Sequence, residues 1–199
     1  MTRRIRFAPF ALFRSYSPRA SRRSLTRSKH SYVRSSRHRP KLFKRSIRIH
    51  VFLSISCPPA VRYSLVNHPE SIMTRHAGMR RRILSESAFD PPLPFVTLCL
   101  PPFMSPILVA ASNGQFVTVS DILLSMHAYF RRNVSEREYH SLSSKFQQKV
   151  SEAFYLRCGN REALYRQGLK RIDLLTGRSK FQGISASSRD STIWLVNVC

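Results

Sequence analysis

Asp173 is the single acidic residue in a basic stretch, GLKRIDLLTGRSKFQGI, which covers residues 168–184. Such a carboxylate serves either as a catalytic or ligand-binding group, or as the partner of a nearby arginine. We consider Arg157 and Arg171 as partners, because a bidentate Arg–Asp pair is a frequent solution for a half-buried charge. No second acid or base accompanies Asp173 in this stretch to divide acid and base roles. We therefore predict that Asp173 has a structural role.

The glycines of this stretch raise the question of a phosphate-binding loop. Such a loop runs into the first turn of a helix, whose N–H groups bind the anion. Here Gly168 instead ends a helical pattern, and residues 170–175 and 180–184 have strand patterns around the turn TGRSK. Ile172 and Leu174 are expected to face the core and the basic side chains to face solvent. The stretch thus predicts a basic hairpin.

Other catalytic patterns are absent from the sequence. It contains no G-x-x-x-x-G-K-[ST], G-x-G-x-x-G, H-E-x-x-H or G-x-S-x-G motif. His127 and His140 lie within helical patterns and outside any such motif, so we interpret them as surface or boundary residues. We expect no enzymatic activity, no cofactor and no metal.

The cysteines also favour a structural interpretation. Cys57, Cys99, Cys158 and Cys199 form no C-x-x-C pair, which indicates reduced thiols in an intracellular protein. Cys158 follows Arg157 at the predicted C-terminus of a helix, where the helix dipole disfavours a thiolate. We predict that Cys158 is a small core residue.

Strand patterns begin near Pro91. Residues 93–100 and 106–112 are rich in apolar and β-branched side chains, and Asn113-Gly114 is a hairpin-turn signal that predicts a third strand over 115–119. Near the C-terminus, residues 192–198 predict another strand, and this strand carries Trp194, the one tryptophan of the chain.

Sequence patterns typical of helices occur between the predicted strands over 115–119 and 192–198. Thr118 or Ser120 is expected to cap a helix that ends near Arg132. Ser135 and Glu138 form an S-x-x-E capping box that predicts a helix over 136–157. A shorter helix is predicted over 161–167.

Strands therefore group with strands and helices with helices along the chain. This order predicts an α+β fold, with a small antiparallel sheet and two main helices on one face. We assign the folded domain to residues 91–199. A structural role is expected for Asp173, Arg157, Arg171 and Trp194.

Residues 1–90 have a very different composition. They contain 21 Lys and Arg against 3 Asp and Glu, a net charge of +18, whereas residues 91–199 contain 13 against 7, a net charge of +6. We expect a long disordered segment, because such a composition buries too little apolar surface to offset chain entropy. Three interpretations remain open: a mitochondrial presequence, a basic tail that binds polyanions through residues 1–50, and a wrongly assigned start of the coding region.

No membrane-spanning segment is expected. The longest run without charged residues extends from Pro91 to Ser120, but it contains six prolines, each of which removes a backbone donor and bends a helix. Two short buried strands fit this run better than a membrane helix.

The strings VTVSDILLSMH, VSEREYHSL, VSEAFYLRC, GLKRIDLLTGRSKFQGI and WLVNV resemble, in order and spacing, a fungal family of unknown function numbered 6699. The resemblance covers residues 93–198. It departs at PPFMSP, where members often have a tryptophan and a longer polar segment. The resemblance implies a fold and a fungal origin, but no activity. Its matching positions are Thr118, Asp121, Arg157, Cys158, Arg171, Asp173, Leu174, Phe181, Gly183 and Trp194.

Two classes of function remain after these exclusions. The first is a non-enzymatic structural or protein-interaction module, whose expected partner is another protein. The alternative is a nucleic-acid-associated protein that binds through its basic N-terminal tail. The cytoplasm or nucleus is the expected location, with the mitochondrion as the alternative if the N-terminal segment is a presequence.

Overall fold

A computed structural model of the protein describes residues 47–56, 60–72, 77–100, 105–187 and 193–199. The predictions made for residues 1–46 lie outside the described residues. The described part is mixed α+β, with two sheets and five α-helices. The α+β class predicted from the sequence is therefore confirmed.

The main sheet has five strands, in the order β2-β6-β7-β4-β5. A second sheet contains the two strands β1 and β3. The strands are β1 (Arg48–Ile49), β2 (Tyr63–Ser64), β3 (Phe89–Asp90), β4 (Phe95–Cys99), β5 (Ile107–Ala110), β6 (Lys180–Ala186) and β7 (Ile193–Val198).

The prediction of a small antiparallel sheet was wrong, because the main sheet has five strands and is mixed. β4 and β7 run parallel, with Leu98 opposite Trp194, while the other neighbours in this sheet are antiparallel. A parallel pair needs a long crossover connection. The helices between β5 and β6 supply most of that connection.

The α-helices are α1 (Ala77–Ser85), α2 (Val119–Phe130), α3 (Glu136–His140), α4 (Ser144–Cys158) and α5 (Glu162–Arg166). Along the chain, α1 lies between β2 and β3, and the other four α-helices of the described part lie between β5 and β6. Two 3-10 helices accompany them, at Pro69–Ile72 and at Arg171–Leu175.

Helix α2 begins with a capping box, in which Thr118 is the cap of the two that the sequence indicated. The Thr118 hydroxyl accepts a hydrogen bond from the Asp121 backbone N–H at 3.1 Å, and the Asp121 carboxylate accepts from the Thr118 N–H at 2.9 Å. Ile122, Met126 and Phe130 are buried along one face of the helix. These contacts fix α2 against the main sheet.

Replacing Asp121 with asparagine should lower the free energy of unfolding at pH 7 by about 1 kcal/mol, a typical effect of losing a cap. Burial alone raises the pKa of Asp121, but hydrogen bonds from Thr118 and Ser112 outweigh it and hold that pKa below its ordinary value. The lowered pKa adds stability above the unfolded-state pKa, and this stability is lost as pH falls through the folded-state value.

Urea unfolding of the wild type and of Asp121→Asn at several pH values checks this prediction. The difference between the two proteins should be largest near neutral pH and should shrink in acid. A difference that stays constant down to the acid limit of the fold would contradict it.

The helix predicted over 136–157 is interrupted. Ser135 caps α3 as predicted, through a hydrogen bond from the Glu138 N–H at 3.2 Å. However, α3 ends after one turn, and the Ser141 hydroxyl donates to the Glu138 carbonyl at 2.7 Å. Ser143 then becomes the N-cap residue of α4. Serine side chains compete for the backbone groups of a helix, so the serines of SLSS favour a break here.

The strand predicted over 115–119 is absent, because Asn113-Gly114 forms a local turn and no hairpin. The Asn113 side chain accepts hydrogen bonds from the Gln115 and Phe116 N–H groups, at 2.8 and 3.0 Å. The next residues bond to the chain before β4: the Val117 N–H donates to the Leu93 carbonyl at 2.8 Å. The segment thus leads into α2 without pairing with β5.

The strand predicted over 170–175 is also wrong, since Arg171–Leu175 is a 3-10 helix. The four residues from Ile172 to Leu175 are all buried, which a strand with one buried face could not achieve. Ile172 and Leu175 belong to the main core, whereas Leu174 belongs to a second core. This short helix therefore joins the two cores.

The two longest helices do not share one face of the sheet, contrary to the prediction. α2 contributes to the main core together with the sheet. α4 contributes Val150, Phe154 and Cys158 to the second core, with Leu169 and Leu174. Helix α4 therefore packs on α5 and the 3-10 helix Arg171–Leu175.

The folded part extends N-terminal to Pro91, where the sequence analysis placed the start of the domain. Leu53, Val61, Tyr63 and Leu65 are buried in the main core, and β2 forms one edge of the main sheet. The alternation in VRYSLV, residues 61–66, carried this signal. The predicted domain excluded this segment because it is short, follows Pro58-Pro59 and lies in the basic N-terminal half of the chain.

Candidate functional site

Arg157 and Asp173 are brought together as a buried ion pair. Arg157 Nε donates to Asp173 Oδ1 at 2.7 Å, and Arg157 Nη2 donates to Asp173 Oδ2 at 2.9 Å. The two side chains are 15% and 2% exposed, respectively. The Lys170 backbone N–H also donates to Asp173 Oδ2, at 2.8 Å. Asp173 therefore accepts hydrogen bonds both from α4 and from the residue that precedes its own helix.

Arg157 is held in place by further contacts besides the pair with Asp173. Burial alone would lower the pKa of Arg157, but the hydrogen bonds and charge of Asp173 raise it overall. Arg157 Nη2 further donates to the Gly168 carbonyl at 3.1 Å, and its guanidinium lies 5.4 Å from the Phe154 ring centroid. The arrangement ties the end of α4 to the chain that enters the 3-10 helix.

Arg171, the other arginine considered for Asp173, has different partners. Its guanidinium stacks over the Tyr129 ring at 4.5 Å from the centroid, and Nη2 lies 3.5 Å from Glu138 Oε1. Its backbone N–H donates to the Arg132 carbonyl at 2.9 Å. Arg171 therefore connects the 3-10 helix to α2 and α3.

Trp194 lies in the middle of the main sheet. Its ring packs against Phe89 with a centroid distance of 4.8 Å, and its strand lies between β4 and β6. Among the described residues, Trp194 Nε1 has no hydrogen-bond partner. The contacts of Trp194 are those of a core residue.

Cys158, His127 and His140 are the other side chains that the sequence singled out for possible chemistry. Burial raises the pKa of the Cys158 thiol, so its thiolate is disfavoured. His127 packs edge-on against His68 at 4.9 Å, and burial, Arg131 and His68 together lower its pKa. His140 is exposed, 3.7 Å from Glu136.

Within the residues that the structure describes, no group of three or more His, Cys, Asp or Glu side chains is placed to hold a metal ion. In the same part of the chain, no helix is long and apolar enough to cross a membrane.

The most unusual surface is the face of the main sheet that points away from α2. Its strands β4, β5 and β7 contain no charged residue. Phe95 and Leu108 project from it and are 62% and 70% exposed. We call this surface the outer sheet face; it is formed by Phe95, Thr97, Cys99, Leu108, Ala110, Ile193 and Leu195.

β5 forms an edge of this sheet among the described residues. An edge strand exposes unpaired N–H and C=O groups, and proteins commonly protect it with charges or a bulge. β5 has the sequence ILVA and carries neither protection. The sequence analysis missed this surface, although the alternation in FVTLC and ILVA without a charge was its signal.

The amino-acid sequence around the Arg157–Asp173 pair, from Thr118 to β6, can be compared with models of known protein families. The chain matches the model of a family of unknown function, DUF6699, over residues 61–191. The chain belongs to this family. The resemblance drawn from the sequence is thus confirmed, and the DUF6699 match starts 30 residues before the predicted domain boundary at 91. Searches of curated proteins and of solved structures gave no match.

Proposed function

We propose that this DUF6699 chain is a non-enzymatic module that binds a partner protein through the outer sheet face. The observation that carries the proposal is the exposure of Phe95 and Leu108 on a sheet surface without charge. Scattered exposed apolar residues are ordinary, but a contiguous apolar patch commonly marks an interaction site.

The outer sheet face has the composition expected for the centre of an interface. Interface centres are depleted of charged residues and enriched in aromatic anchors. Burying Phe95 or Leu108 would each contribute about 1.5–3 kcal/mol of hydrophobic free energy. Phe95 is the aromatic anchor of this patch.

The free edge of β5 suggests how the partner would be oriented. A partner segment that adds a strand to β5 gains backbone hydrogen bonds, and its alternate side chains reach the same face as Leu108. β4 and β5 pair with Thr97 opposite Leu108, so Phe95 lies one step away on the same face. We therefore infer that the partner contributes an extended, apolar segment.

Site-specific cross-linking tests this proposal. A photo-cross-linking benzoylphenylalanine at position 108 should give one discrete adduct with another protein in cells that produce the chain naturally. Adding Phe95→Asp should reduce that adduct at least tenfold, because a charge would be desolvated at the centre of the contact. The same cross-linker at position 148, exposed on α4, should give no such adduct.

The result must be compared with the stability of each variant. Phe95→Asp changes an exposed side chain, so the melting temperature should remain close to that of the wild type. An adduct at position 108 that survives Phe95→Asp in the folded protein would contradict the proposal. Equal adducts at positions 108 and 148 would contradict it as well.

The alternative function is association with nucleic acid through the basic N-terminal tail. It is supported by the net charge of +18 over residues 1–90. Binding through phosphate contacts falls steeply with salt, because each contact releases counterions. Binding through the outer sheet face would change little with salt, so ionic strength separates the two functions.

We further propose that the protein is intracellular, in the cytoplasm or nucleus, and of fungal origin. Cys99, Cys158 and Cys199 are free thiols in the described structure, which supports a reducing compartment. The fungal origin is supported by the sequence motifs that led to the family.

A further inference from the structure

A basic cavity lies at the junction of α2, α4, α5 and the 3-10 helix Arg171–Leu175. Its volume is about 190 Å³, and four of its lining residues are Arg131, Arg157, Arg161 and Lys170. Arg131 is the C-cap residue of α2 and Arg157 lies in the last turn of α4. Arg161 is the N-cap residue of α5, and Lys170 precedes the 3-10 helix. Residues distant in sequence thus converge on one site.

The structure neutralises only part of this positive charge. Asp173 offsets one charge through its pair with Arg157. The C-termini of α2 and α4 offset about one more, since each is equivalent to about half a negative charge. Lys170 Nζ donates to the Arg131 carbonyl at 3.2 Å, and Arg161 Nη2 donates to the Arg157 carbonyl at 3.4 Å. By these magnitudes, about two positive charges have no counterion within the part of the chain that the structure describes.

The cavity also has donors that point to a particular anion. Arg157 uses Nε and Nη2 for Asp173 and Gly168, so these bonds leave both N–H groups of Nη1. A phosphate monoester carries about −1.5 to −2 charge at pH 7 and has three strong acceptor oxygens. Arginine N–H groups donate strong, charge-assisted hydrogen bonds to such oxygens. The charge and the donors therefore match a phosphoryl group.

The size and the opposite wall of the cavity limit the rest of the ligand. A water molecule occupies about 30 Å³ of liquid, so the cavity has room for a phosphoryl group and a few carbon atoms. Leu65, Val66, Leu164 and Ile172 line the remaining wall. An apolar group attached to the phosphate would lie against these side chains.

We propose that this cavity binds the phosphoryl group of a small phosphorylated molecule, with its apolar part against Leu65, Val66 and Leu164. Burial, Arg157 and Arg131 lower the pKa of Lys170, in that order of effect. A bound dianion would relieve this repulsion. The site lies outside the outer sheet face, so it is a second function of the fold.

Calorimetric titration of the full chain with phenyl phosphate tests the proposal. Because the whole chain is strongly basic, the test needs two double variants with the same loss of charge. Arg131→Gln/Arg161→Gln removes two exposed cations that line the cavity, whereas Arg178→Gln/Lys180→Gln removes two exposed cations outside the lining. The cavity variant should bind phenyl phosphate at least tenfold more weakly, and the control variant should stay within twofold of the wild type.

The ligand class is tested by two further probes, inorganic phosphate and phenol. Phenyl phosphate should bind several-fold more tightly than either, because it uses both the cations and the apolar wall. Equal binding of phenyl phosphate and inorganic phosphate would overturn the assignment of a phosphorylated organic ligand. Equal weakening in both double variants, with unchanged melting temperatures, would overturn the site itself and indicate charge attraction alone.

Discussion

Replacing Asp173 with alanine should lower the free energy of unfolding by about 3–5 kcal/mol, the usual cost of breaking a buried ion pair by removing one partner. Arg157 would keep its charge in a setting where it is largely removed from solvent. The Lys170 N–H would lose its acceptor at the start of the 3-10 helix. Urea unfolding followed by circular dichroism measures the change.

Two further variants show whether the unpaired charge is the cause. The double variant Arg157→Met/Asp173→Leu should recover much of the loss, because apolar replacements of a buried pair are often neutral or stabilising. Arg48→Ala breaks the exposed pair with Asp90 and should cost no more than about 1 kcal/mol. A cost below about 1 kcal/mol for Asp173→Ala itself would contradict the buried-pair interpretation.

Trp194→Ala should be destabilising to a similar extent, by about 3–5 kcal/mol, because it leaves a large cavity in the sheet core. Trp194 is 2% exposed, so the surroundings have little access to water that could fill the space. The ring contacts Phe89, which joins the small sheet to the main core. Thermal and urea unfolding both measure this loss.

Trp194→Phe separates the ring contacts from the indole N–H. The phenyl ring retains most of the packing, and it removes an N–H that has no partner among the described residues. We expect a cost of less than about 1.5 kcal/mol, as for other hydrophobic exchanges in cores. If Trp194→Ala costs no more than Trp194→Phe, the ring is not a core element.

The elements predicted well are those whose local signals agree with their packing. β4, β5 and α2 each have one buried face, and their apolar residues recur with the spacing of a strand or a helix. Thr118 and Asp121 mark the start of α2 through hydrogen bonds between residues only three positions apart. Local propensity and tertiary burial favour the same structure there, so no long-range information is required.

The elements predicted wrongly depend on contacts that a local pattern does not contain. IDLL has the composition of a strand, but it is buried on all sides because two cores meet around it. Its helical turn also depends on the bond between Asp173 and the Lys170 N–H. The parallel direction of β7 likewise depends on the path of the helices between the strands.

The candidate sites show the same division. The sequence indicated both Arg157 and Arg171 as possible ion-pair partners of Asp173. Distance along the chain does not determine which guanidinium faces the carboxylate. The structure places Arg157 there and stacks Arg171 on Tyr129. The basic cavity was beyond sequence reasoning, since its cations come from four separate helix ends.

The pairing of β4 with β7 has a consequence for how the chain folds. Thr97 and Ile193 are neighbours in the sheet, yet β5, the helices α2 to α5, the 3-10 helix Arg171–Leu175 and β6 all lie between them along the chain. Bringing such distant residues together costs chain entropy before the contact is formed, which slows folding. During synthesis, the middle of the sheet stays open until β7 has left the ribosome, because β7 lies between β4 and β6. Until then, the apolar edge of β4 is exposed to other chains.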